Sequence, residues 1–120
     1  MRMVAVKRIY EPYAESDGLR ILVDRLWPRG MSKDAARIDL WVKELAPSHE
    51  LRKWYQHDPS RWSEFRRRYF AELDSHPEEL ETLFTRIKDH PATFLYSSRE
   101  QKLNNAVALR EYLLEHDPAT

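Results

Sequence analysis

The chain has 120 residues, 42% of them hydrophobic and 12% aromatic, which is material for one packed domain over residues 1–120, too little for two cores and the wrong composition for a disordered tail. Twenty Lys and Arg balance twenty Asp and Glu, and this zero net charge removes the long-range attraction expected of a dedicated duplex-DNA or membrane-surface binder. The absence of Cys excludes disulfides, thiolate metal sites and cysteine nucleophiles, and with no long apolar run at the start the expectation is a cytoplasmic protein without signal peptide or membrane span.

Met3 to Tyr10 is rich in β-branched residues with partial alternation, the pattern of a strand at or near a sheet edge. Asp17-Gly18 is a turn signal, and the following run, Leu19 to Leu26, contains Ile21-Leu22-Val23, which predicts a strand buried on both faces. The string Arg25-Leu26-Trp27-Pro28-Arg29-Gly30 then leaves that strand in a tight turn, and Ser32 can cap a short helix after it. Ile38 to Lys43 alternates enough to predict a short strand or extended segment, ended by Pro47. Ser48 is a fair N-cap for a short helix through Tyr55, and Asp58-Pro59 opens the next helix, to about Leu73.

Ser75-His76-Pro77-Glu78 has the capping-box form, and Leu80, Leu83, Phe84 and Ile87 follow at helical spacing, predicting a helix that ends near His90-Pro91. Thr93 to Tyr96 reads as a second buried strand, and Leu103, Ala106, Val107, Arg110, Leu113 and Leu114 trace one face of a final helix. Buried strands separated by helices predict an α/β fold, a small single domain with a mainly parallel sheet flanked by helices.

In such sheets ligands collect beyond the carboxyl ends of the strands. Two segments fall there: Asp24, Arg25, Trp27 and Arg29 with Lys33 after one strand, and Ser97, Ser98 and Arg99 with Asn104 and Asn105 after the other. Together they offer the cations, hydroxyls and helix N–H groups that an anionic oxygen ligand requires; the plainer alternative is an Asp24 ion pair among solvated turn residues. At about 100° per residue, Arg66 projects into the stripe of Trp62, Phe65, Tyr69 and Leu73, so it is expected to be largely buried against a carboxylate or a bound anion, with a structural ion pair the favoured account for it and for Arg110. Of the four Trp, only Trp27, held in the Pro-Arg-Gly turn, is placed like an exposed stacking platform. The five His lack metal-ligand spacing, so no metal and no cofactor is expected; His57 beside Asp58 is a general-base fragment, although Asp58 is better explained as a helix cap.

The strings Val6-Lys7-Arg8-Ile9-Tyr10, Asp17 to Gly30 with its Val-Asp-Arg-Leu-Trp-Pro-Arg-Gly core, Leu40 to Ser48, Leu51-Arg52-Lys53-Trp54 and Trp62 to Tyr69 resemble the YeaO-like branch of the bacterial domain-of-unknown-function family 488 over almost the whole chain. The resemblance implies a small α/β domain with a mainly parallel sheet and carries no established activity. Relatives often have His-Asn-His or His-Asn-Asn near the last helix, where this chain reads Leu103-Asn104-Asn105, and longer cousins have a Cys-His-Arg cluster that is missing here. Both departures count against chemistry that needs those groups. The leading expectation is a domain that binds a small anionic ligand, a nucleotide or phosphorylated metabolite. If it is an enzyme, Asp24 or His57 is the proton acceptor and Arg25, Arg29 and Arg99 are the electrostatic stabilisers. The alternative is a nucleic-acid-binding or regulatory accessory protein using Trp27, Arg29 and Arg66 to Arg68, and a protein-interaction module is a third reading.

Overall fold

Four parallel strands form one sheet in the order β1-β4-β2-β3, built from β1 (Val4–Arg8), β2 (Leu19–Leu22), β3 (Leu40–Trp41) and β4 (Ala92–Tyr96). The computed structural model describes residues 4–116; the expected strand start at Met3 lies outside them. β1 occupies an edge, as its partial alternation predicts, and all five residues of β4 are buried because it lies between β1 and β2. β2 is shorter than the run Leu19 to Leu26: Val23 still donates its N–H to Leu95 (3.1 Å), but the chain bends away at Asp24, whose side chain takes other partners.

The period of two in the strands sorts the core into two faces. Leu19, Ile21 and Val23 with Ala92, Phe94 and Tyr96 meet the apolar stripes of the longer helices, α2 (His49–Tyr55), α3 (Trp62–Asp74), α4 (Pro77–Ile87) and α5 (Asn105–Glu115). Leu22 and Leu95 with Ile9 face the other way, covered among the described residues by α1 (Lys33–Ala36) and by Trp27, Met31, Ile38 and Trp41. No helix among the described residues is long and apolar enough to cross a membrane.

The caps follow the sequence except at α4. Ser32, Ser48 and Asn104 each accept a backbone N–H in the first turn of α1, α2 and α5. Asp58 caps a short 3-10 turn, Pro59–Arg61, that leads into α3. The predicted capping box at Ser75 does not form. Pro77 occupies the first helical position and restricts the residue before it, so His76 precedes α4 with φ −123° and Ser75 instead closes α3, its hydroxyl donating to the Glu72 carbonyl. α4 ends at Ile87, short of His90.

The thinner face holds a buried charge cluster. Arg20 is 1% exposed; its guanidinium meets Asp17 and the Ala36 carbonyl (2.9 and 3.1 Å), while Lys7 Nζ lies 3.0 Å from Asp17. Burial pushes the Asp17 carboxyl up, but hydrogen bonds from Lys7, the Ala14 N–H and Arg20 outweigh it and hold its pKa below the usual 3.8. Next to it Gly18 has φ +66°, and a Cβ there would stand 2.2 Å from the Pro91 carbonyl oxygen that accepts the Leu19 N–H.

Gly18→Ala is therefore expected to lower stability by about 3 kcal/mol or more in urea unfolding at neutral pH, through left-handed strain plus a backbone clash. Asp17→Asn should cost about 3 kcal/mol at pH 7 by leaving Arg20 buried without its counter-ion. Because the folded pKa of Asp17 lies below its unfolded value, its contribution is complete above the unfolded pKa and is lost as pH falls through the folded one. The native protein should thus lose stability between ~pH 5 and pH 2 more steeply than Asp17→Asn, as read from urea midpoints.

Candidate functional site

Beyond the carboxyl ends of β1, β2 and β4 lies a cavity of about 710 Å³. The loop after β2 contributes Asp24, Arg25, Leu26, Trp27, Pro28 and Arg29; the loop after β4 and the start of α5 contribute Ser97, Ser98, Arg99, Asn104 and Asn105; α2 and its exit supply Arg52, Tyr55 and His57. The two segments singled out in the sequence thus line one cavity. Lys33, exposed at the first position of α1, is not among the lining residues.

Asp24 holds this arrangement together. Its Oδ2 accepts the Ser97 N–H (2.9 Å) and hydroxyl (2.8 Å), its Oδ1 accepts Asn105 Nδ2 (3.0 Å), and its backbone carbonyl accepts the Trp41 indole N–H (2.7 Å). Among the described residues it makes no ion pair; the Asp24 to arginine pair of the plainer alternative is absent, and neutral donors from the loop after β4, from α5 and from β3 take its place. These three donors make the Asp24 carboxylate a tie between the loop after β4 and the start of α5.

Among the described residues five arginines line the cavity: Arg8, Arg25, Arg29, Arg52 and Arg99. Arg8 Nε donates to the Ser97 and Ser98 carbonyls (3.2 and 2.9 Å), and Arg25 donates to the Ala46 and Pro47 carbonyls (3.2 and 3.4 Å). These bonds fix the guanidiniums without neutralising them. Arg29 is exposed, and its backbone carbonyl accepts the Tyr10 hydroxyl (2.8 Å). Among the described residues none of the five has a carboxylate within 4.0 Å, and Asp24 is the only acid in the lining. Glu100, close by, spends its carboxylate on the backbone N–H groups of Leu103 and Lys102, which lower its pKa.

The aromatic side is less open than the sequence implies. Trp27 is half-buried rather than an exposed platform: its indole donates to the Met31 carbonyl (2.6 Å) and its ring meets Trp41 edge-on at 5.5 Å, within the smaller core cluster. Tyr55 stacks on Phe65 at 4.3 Å and donates to the Leu103 carbonyl (2.8 Å); burial, then the charges of Glu100 and Asp58, push it up to about 12, so it stays protonated at neutral pH. Gln56 and His57 both have left-handed backbones (φ 49° and 55°), which turn the chain out of α2 and bring His57 to the cavity.

Arg66 is elsewhere. Its Nη2 lies 2.6 Å from Glu111 Oε2 on α5 and its side chain remains 31% exposed, so the expected carboxylate partner is present but the burial is partial and the cavity is not reached. The helical projection missed this because α3 meets α5 at the margin of its stripe, where a long side chain runs along the apolar surface and keeps its charged end near water. Arg110 donates to the Val4 carbonyl (3.3 Å), a structural role. Arg8 and Arg52 went unread in the sequence; Arg8 ends β1, so the rule that singled out Arg25 and Arg99 also covers it.

Asp24→Ala should leave the Ser97 N–H and the Asn105 amide short of acceptors in a partly buried setting and cost about 2–3 kcal/mol in urea unfolding. Amide exchange at Ser97 should accelerate beyond that global loss; unchanged protection at Ser97 would mean that the loop is held by other contacts.

The family model described as "Inactive DUF488-N3 subclade" matches residues 3–119. The chain is 44% identical over 110 residues to the uncharacterized protein YeaO of Escherichia coli (strain K12), covering 92% of this chain and 96% of that one. It is 53% identical over 70 residues to the uncharacterized proteins Rv3073c of Mycobacterium tuberculosis (strain ATCC 25618 / H37Rv) and Mb3100c of Mycobacterium bovis (strain ATCC BAA-935 / AF2122/97), covering 58% of this chain and 59% of each relative. No solved structure matches. The subclade match runs through the loop after β2, the arginines and α5, and with the similarity to YeaO it shows that the chain belongs to the YeaO-like branch of the DUF488 family.

Proposed function

We infer that the protein binds a small anionic ligand, a nucleotide or phosphorylated metabolite, in the cavity beyond the strand ends. The observation that carries this reading is the charge balance of the lining: five arginines without a carboxylate partner among the described residues, against one acid already engaged by three donors. An unpaired guanidinium in a partly desolvated cleft gains from a bidentate oxyanion what it otherwise draws from water, so such a cluster favours phosphate or carboxylate ligands. Binding without turnover is the favoured form. The subclade's description, "inactive", agrees with an Asp24 committed to structure and with Leu103 standing where relatives often carry His.

The nucleic-acid reading has less support. Arg67 and Arg68 are both bonded to Glu64 (2.6 to 2.9 Å), Arg68 also covers Trp54, and Trp27 is packed, so the stacking platform and much of the phosphate-contact row have other partners. With the partner a compact anion, Arg29→Ala and Arg99→Ala should each weaken mononucleotide or phosphate binding by about 1–3 kcal/mol in calorimetric titration, and Arg67→Ala should change it little. Affinity confined to an oligonucleotide, falling steeply between two salt concentrations and sensitive to Arg67→Ala, would instead support the nucleic-acid reading.

A further inference from the structure

We propose that the anion is a phosphorylated nucleoside, recognised through its base and sugar as well as its phosphate; this rests on the anion-binding reading of the same cavity. An inorganic phosphate would occupy a small part of 710 Å³, a volume in the ~300–1,000 Å³ range of sites that enclose whole organic ligands. The rim carries apolar surface held in water beside the cations. Of the four large hydrophobic side chains most exposed among the described residues, two line this cavity: Leu26, 67% exposed, and Tyr10, 40% exposed. Exposed apolar groups at the mouth of a cationic cleft suit a ligand with an anionic end and a flat apolar end. Tyr10 is also fixed for this use: its hydroxyl is anchored on the Arg29 carbonyl, and its ring lies 4.8 Å from the Arg8 guanidinium carbon, so a ring and a planar cation stand together where a base can stack.

The third observation concerns an acceptor. Both Asn105 Nδ2 hydrogens are used, on the Val23 carbonyl and Asp24 Oδ1 (3.0 Å each), which fixes the amide orientation and leaves Oδ1 without a donor among the described residues. An oxygen acceptor on a lining residue gives nothing to the unprotonated oxygens of a phosphate. It suits a sugar hydroxyl or a base N–H, donors that a nucleoside carries apart from its phosphate.

The test is calorimetric titration of the full chain with the four common 5′-ribonucleoside monophosphates, ribose 5-phosphate and pyrophosphate. At least one nucleotide should bind tenfold or more tightly than ribose 5-phosphate and pyrophosphate. Leu26→Ala, a change at an exposed side chain that folding tolerates, should weaken that nucleotide several-fold more than it weakens pyrophosphate. Leu26→Ala should keep the native circular dichroism spectrum, so that its effect is read as lost binding and not as unfolding. If ribose 5-phosphate or pyrophosphate binds as tightly as every nucleotide, the nucleoside inference is overturned while the anion reading stands; if none of the probes binds, both fall.

Discussion

The Asp24 carboxylate is the interaction on which the arrangement beyond the sheet depends. At the bend where β2 ends, the backbone ladder can no longer hold the loops in register, and side-chain bonds take over: Asp24 holds Ser97 and Asn105, Arg8 holds the Ser97 and Ser98 carbonyls, and Arg25 holds Ala46 and Pro47. Charged groups are thus spent on neutral backbone and amide partners. That choice satisfies the unpaired polar groups at the strand ends and leaves the positive charge of the arginines uncancelled, so the bonds that order the site also set its electrostatic sign.

The sheet itself is asymmetric. Four helices cover one face with a continuous apolar cluster, while the other face has one four-residue helix, aromatic side chains from loops and the buried Arg20 and Asp17. A thin cover cannot exclude water by bulk alone. The charges there are therefore enclosed by short-range partners, with Tyr13 placed over both Arg20 (5.3 Å) and Arg37 (4.3 Å).

Much of this was legible in the sequence where one local rule governs. Ile21-Leu22-Val23 announced a buried strand, Ser48 a cap, Leu80 to Ile87 an amphipathic helix, and the polar strings after two strands a common cavity wall. The failures occur where two rules compete or where a partner is distant in sequence. At Ser75 the capping pattern lost to the restriction that Pro77 places on His76, and at Trp27 a turn that looked exposed is folded back onto Trp41. Arg66 depends on which element lies alongside, α5, and spacing within a single segment carries no information about that neighbour.

The position of β4 has a consequence for how the chain reaches this state. β1, made before the other three strands, has β4 as its only neighbour in the sheet among the described residues, and β4 begins at Ala92. β2 and β3 can pair early, but β1 must wait for some eighty residues to be added, with its backbone groups bonded to water meanwhile. Sheet closure and ring closure of the cavity are consequently the same late event, since Ser97 and Arg99 follow directly on that strand. A ribosome product that stops short of β4 has neither the closed sheet nor the loop that completes the cavity wall, so the two are absent or present together.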